Sequence, residues 1–175
     1  MKKFLICFFA FVSSNIVQAR PADDIWFRTL QVVRFADAAR AGLRPACSPR
    51  SSRPIRPEFR IVCQRLEVIP DAVIESAARP FLKIHVSKDL ARKAIEFWST
   101  AAGASLSEKM LKEMESGVQD QLSDADLSLM GKRDATDYGI ALGSFASDKL
   151  QSAAVFQAMY AYATKKPPKV KKTER

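Results

Sequence analysis

His85 is the only histidine in the chain, so any Ser–His or Cys–His nucleophilic mechanism has to run through it. It stands just ahead of Ser87, a residue suited to capping a helix, where an imidazole serves as a structural hydrogen-bonding group. Paired carboxylates are the histidine-free route to acid–base chemistry. Asp124 and Asp126 lie two residues apart and point to different sides of a helix, while Glu108, Glu113, Glu115 and Asp120 read as an ordinary solvated face. Thr100-Ala-Ala-Gly103 has one glycine and no Lys-Ser/Thr after it, so it is a helix junction and not a phosphate loop. A structural zinc site takes about four ligands, a set this chain lacks. No catalytic residues, no metal and no cofactor are expected, and the chain reads as a non-enzyme.

The remaining chemistry is electrostatic. Between Arg44 and Arg65 there are six arginines, at 44, 50, 53, 56, 60 and 65, and one acid, Glu58. Guanidinium forks bind carboxylate or phosphate in a bidentate manner, so Arg50, Arg53, Arg56 and Arg60 are the candidate binding residues. The formal net charge of +9 favours anionic partners. Nucleic acid is a poor fit, because aromatic stacking residues are missing from most of the basic stretches.

The N-terminus reads as an export signal. Lys2 and Lys3 precede an apolar run from Phe4 to Val12 that is too short to span a bilayer, which disfavours the rival reading as an anchor. Val17-Gln18-Ala19 puts small residues at the cleavage positions, so cleavage is expected after Ala19, and Cys7 leaves with the signal. The mature chain would be 156 residues with a net charge of +7, enough for one domain. It would reside in the periplasm or be secreted, where disulfides persist. Cys47 and Cys63 then have one internal pairing available, the other options being an intermolecular bridge or free thiols.

The elements that must position these residues are helical. Asp23 or Asp24 caps a first helix, with Leu30, Val33 and Ala36 inward, Arg28, Arg34 and Arg40 outward, and an end at Gly42. Four prolines make Leu43 to Pro57 a loop. Phe59, Val62, Cys63 and Leu66 follow helical spacing, so a bridge at Cys63 would pin the arginine-rich loop to the core. Pro70 and Pro80 punctuate two short pieces. Ser87 opens a strong helix with Leu90, Ala94, Phe97 and Trp98 on one face, and Ser123-Asp-Ala-Asp126 is a capping-box variant. A last helix, Ser147 to Thr164, is apolar on most sides and suits a central buried position. Residues 165–175 form a basic tail that is solvated or touches anionic lipid peripherally. With no period-2 alternation, the fold expected is all-α: a compact bundle of about six helices over residues 20–164.

Residues 78–111, ARPFLKIHVSKDLARKAIEFWSTAAGASLSEKML, resemble the bacterial exported family called domain of unknown function 2059. The matching positions are Phe81, His85, Ser87, Leu90, Phe97, Trp98, Thr100, Gly103 and Leu106. Trp98 stands where that pattern has tyrosine and Ala101 where it has proline, which leaves open whether the helices around Gly103 are one or two. The resemblance implies an all-helical exported protein with no established activity. A second copy is suggested 36 residues on, where Ser87, Thr100, Gly103 and Leu106 map onto Ser123, Thr136, Gly139 and Leu142. The function expected is that of an envelope protein binding an anionic component or protein. The alternative is a periplasmic inhibitor or immunity protein that plugs a delivered toxic enzyme.

Overall fold

The computed structural model describes residues 24–48, 56–117 and 122–165; the expected signal peptide, Arg50, Arg53 and the tail beyond Lys165 lie outside them. Among the described residues the protein is all-α, with nine α-helices and one short 3₁₀ turn. They are α1 (Ile25–Val32), α2 (Phe35–Cys47), α3 (Pro57–Arg65), α4 (Asp71–His85), α5 (Lys88–Trp98), α6 (Ala101–Ser116), α7 (Asp124–Asp134), α8 (Asp137–Ala146) and α9 (Lys149–Thr164). The 3₁₀ turn, Leu66–Val68, follows α3.

Helix starts follow the side chains that can satisfy free N–H groups. Asp24 accepts from the Trp26 and Phe27 amides, Ser87 from Leu90, and Asp148 from Leu150 and Gln151. Ser123 and Asp126 form the reciprocal capping box that their spacing predicts.

The count of nine corrects the expected six or so, and the extra breaks have physical causes. The first helix does not run to Gly42. Arg34 adopts a left-handed conformation, φ 53°, splitting the segment so that α1 packs on α5 while α2 packs on α6. α2 then continues past Gly42 to Cys47, through Pro45. The segment expected to be wholly loop therefore begins as helix. A proline in a last turn removes one amide from a ladder that is about to end.

Pro80 likewise fails to divide its segment. It sits on the exposed side of α4, and Ile74, Ala78 and Leu82 are fully buried on either side of it. Burial of that stripe outweighs the one hydrogen bond that proline forfeits. Around Gly103 the chain does break, with Thr100 capping α6.

α4, not α9, occupies the middle, packing against α1, α2, α8 and α9. α9 buries a single stripe, Gln151, Val155, Met159 and Ala163, and leaves Ala153, Gln157 and Ala161 exposed. Its apolar character comes largely from alanine, which has little surface to bury. The main core gathers Leu30, Val62, Leu66, Ile69, Ile74, Leu82, Val86, Phe145 and Met159. A smaller one forms around Ala94, Trp98, Leu106 and Tyr138.

The suggested repeat corresponds to a repeated helix corner. α5 and α7 start one residue after Ser87 and Ser123, and both are 11 residues long. Thr100 Oγ accepts from the Gly103 amide at 3.0 Å and donates to Phe97 O at 2.7 Å. Thr136 accepts from Gly139 at 3.1 Å and donates to Arg133 O at 2.6 Å.

Candidate functional site

The disulfide between Cys47 and Cys63 ties the end of α2 to α3, with Cα atoms 5.3 Å apart. Covalent attachment at that point fixes where the arginine-bearing start of α3 can lie. Val62, fully buried beside the bridge, anchors the same helix in the core.

The six arginines divide by use. Arg44 is committed internally, its Nε 2.9 Å from Glu67 Oε1 and its NH2 2.9 Å from Glu67 Oε2, with Glu115 as a further partner. The hydrogen bond from Arg44 holds the Glu67 carboxyl below its ordinary range. Arg65 donates to the carbonyl of Lys165 at 2.9 Å. Arg56 and Arg60 are exposed and make no ion pair among the described residues. Arg50 and Arg53 fall outside the described residues. The candidate set therefore retains Arg56 and Arg60 as placed residues, one helical turn apart.

Arg56 also lines a cleft of about 510 Å³ between α3 and α9, together with Glu58, Phe59, Phe156, Gln157 and Tyr160. Phe59 and Phe156 stack across it with ring centroids 5.6 Å apart and planes 15° from parallel. Helical spacing predicts Phe59 as a core residue, whereas in the structure it is half-buried and lines the cleft. Phe156 lies in a helix that reads as uniformly apolar, so no periodic signal marked it.

His85 has a structural partner. Its Nε2 lies 2.9 Å from Asp148 Oδ2, joining the end of α4 to the cap of α9. That hydrogen bond, followed by the backbone amide of Gln151, holds the Asp148 carboxyl below its ordinary range. Phe97 and Trp98 pack edge to face at 5.1 Å, and the Arg133 guanidinium lies over the Trp98 ring at 5.3 Å. Thr100 and Gly103 build the helix corner described above. These family-like positions thus serve packing and capping.

Two buried charged residues escaped the sequence reading. Arg40, expected outward, is 7% exposed. It donates to Ile69 O at 2.6 Å and to Asp71 Oδ1 at 2.5 Å, closing the 3₁₀ turn against α2. Glu75, on the neighbouring face of α4, is 4% exposed. Burial, with the Asp71 carboxylate adding to it and Arg40 opposing, pushes its pKa up to about 7. The available signal was position: Arg40 falls between the buried Ala36 and Ala41, and Glu75 next to Ile74. Residue type overrode it, since charged side chains are seldom buried unless paired.

Among the described residues no three His, Cys, Asp or Glu side chains gather in a way that could hold a metal ion, and no helix is long and apolar enough to cross a membrane. Comparison with protein-family models, with curated proteins and with solved structures returns no match.

Proposed function

We propose that this is an exported protein that works by binding an anionic partner in the bacterial envelope, with the start of α3 as the contact surface. The observation that carries this reading is the division of the arginines. Arg44 and Arg65 spend their hydrogen bonds within the fold, whereas Arg56 and Arg60 stand exposed on a helix held by a disulfide. An exposed arginine that makes no ion pair keeps its fork available for carboxylate or phosphate, and Arg56 and Arg60 flank a single acid, Glu58. A covalently held helix presents it at low conformational cost.

The disulfide supports export, because such bonds persist outside the reducing cytoplasm. The charged opening and cleavage-like residues at the N-terminus support it too, as does the resemblance of residues 78–111 to an exported family. The role is one of binding rather than turnover. His85 is occupied by Asp148 at the joint between two helices, which favours a structural part for the one histidine.

The test is capture of the tagged mature protein's neighbours in cells by crosslinking, with wild type compared against Arg56→Ala/Arg60→Ala. Binding to the captured material should weaken about tenfold in the variant, and high salt should abolish most of the difference. Equal affinity of variant and wild type at low salt would remove the arginines from the contact.

A further inference from the structure

The cleft between α3 and α9 holds more than charge. Phe59 belongs to neither core cluster, yet its ring lies half-buried against Phe156 and leaves an aromatic wall facing the open space. Tyr160 continues that wall one turn along α9, about 6 Å further on. Its length thus follows the helix, which suits a chain-like group better than a compact one. The volume of about 510 Å³ lies within the range of roughly 300–1,000 Å³ typical of small-molecule sites, which are mostly apolar with a few placed polar groups. Here the polar groups are Arg56, Glu58 and Gln157, and Arg60 stands exposed one turn along α3, outside the lining. Within the lining Arg56 is offset by Glu58, and the exposed Arg60 nearby gives this end of α3 an excess of one positive charge.

We infer that the α3–α9 cleft is a binding site for a single fatty-acyl-type anion, an alkyl chain ending in a carboxylate or phosphate monoester. The chain lies along Phe59, Phe156 and Tyr160, and the head group meets Arg56 with Arg60 behind it. The inference rests on the reading that the α3 arginines take an anionic partner, and it names the ligand class. It commits to one amphiphile molecule taken into the cleft rather than to the surface of a membrane. Apolar burial supplies the affinity that exposed arginines alone do not, and the arginines select the charge.

The experiment is calorimetric titration of the mature, oxidised protein with dodecyl phosphate below its micelle concentration. Inorganic phosphate and phosphatidylglycerol vesicles serve as parallel probes. Wild type should bind one dodecyl phosphate per chain, and inorganic phosphate at least tenfold more weakly. Phe59→Ala and, separately, Arg56→Ala/Arg60→Ala should each weaken dodecyl phosphate about tenfold. Circular dichroism checks that each variant keeps its helices. Because Phe59 also braces α3, Phe59→Leu provides a second variant that fills the volume with an apolar group and should retain most of the affinity.

Equal binding of inorganic and dodecyl phosphate would overturn the cleft site, as would indifference to Phe59→Ala or a wild type that ignores dodecyl phosphate. Vesicle binding that falls with the arginine variant but not with Phe59→Ala would leave the anionic-partner reading standing while sinking the cleft. Indifference of every probe to the arginine variant would remove both.

Discussion

Gly103 and Gly139 occupy the same place in two helix corners 36 residues apart. In each, the helix that follows the threonine cap presses its first turn against the end of the helix before it. A methyl group on Gly103 would run into Phe97 O and lie 3.0 Å from Trp98 Cα; on Gly139 it would run into Arg133 O and lie 3.0 Å from Asp134 Cα. These are backbone atoms that cannot turn aside. Alanine is the better helix former by up to about 1 kcal/mol, but overpacking costs roughly 1–3 kcal/mol. Gly103→Ala and Gly139→Ala should therefore each destabilise the protein, by about 1–2 kcal/mol in urea denaturation. An unchanged midpoint for either would mean that its corner opens freely.

The helix starts at Ser87 and Ser123 were legible in the sequence because capping is local chemistry, whereas Ala101 in place of a proline left the break at Thr100 open. Ser87, Thr100, Ser123 and Thr136 each accept from the amide three residues on, a contact that short-range spacing sets. What a spacing rule does not carry is tertiary. Pro80 survives inside α4 because Ile74, Ala78 and Leu82 are buried around it, and Arg40 is drawn inward by the Ile69 carbonyl and Asp71. The repeat itself was faint, because Arg133 replaces the aromatic Phe97 of the first copy. The two positions share a register but not a role: Phe97 packs edge to face on Trp98, whereas Arg133 lays its guanidinium over that ring. The candidate site was half legible. Arginine clustering marked one side of the cleft, while Phe156 and Tyr160 were hidden in an alanine-rich helix.

Glu75 makes stability fall as pH rises toward neutrality. Its folded pKa, pushed up to about 7 by burial, lies above the ordinary 4.5. Between those values the native state holds a proton that the unfolded chain has released. The contribution is fully present below 4.5 and disappears as pH climbs through about 7, amounting to on the order of 3 kcal/mol. Glu75→Gln keeps the shape without the charge. It should flatten this part of the stability–pH curve and raise stability at pH 8 relative to wild type. Parallel curves for the two proteins from pH 4.5 to 8 would show that the carboxyl ionises without penalty.

His85 and Asp148 form a joint rather than a catalytic dyad, and mutation separates the two. Asp148 caps α9 with Oδ1 and meets His85 with Oδ2. Asparagine is as good a cap as aspartate, so Asp148→Asn should spare α9 while losing the charged partner. His85→Ala should lower the melting temperature by a few degrees at neutral pH, and adding Asp148→Asn should cost little more, since both remove one interaction. The hydrogen bond from His85 holds Asp148 below its ordinary 3.8. That stabilisation is present above 3.8 and lost as pH falls through the lowered value, so the gap between wild type and His85→Ala should close in acid. Fully additive losses in a double-mutant cycle at neutral pH would dissolve the joint.

The bridge between Cys47 and Cys63 closes a loop with a sequence separation of 16 residues, worth about 3 kcal/mol by the loop-entropy estimate. The core residues on α4, α8 and α9, namely Ile74, Ala78, Leu82, Phe145, Val155 and Met159, lie outside the bridged segment. Cys47→Ala/Cys63→Ala should therefore fold, lose about 2–3 kcal/mol in urea denaturation, and show its earliest hydrogen exchange in α3 and the last turn of α2. Without the bridge, α3 retains the burial of Val62 and the stacking of Phe59 on Phe156. Both lie on one side of a nine-residue helix, too short to persist alone in water. Affinity for the anionic partner should fall in parallel, because Arg56 and Arg60 ride on that helix. Unchanged exchange in α3 would instead assign its position to Val62 and the aromatic stack, leaving the disulfide to act on the unfolded chain alone.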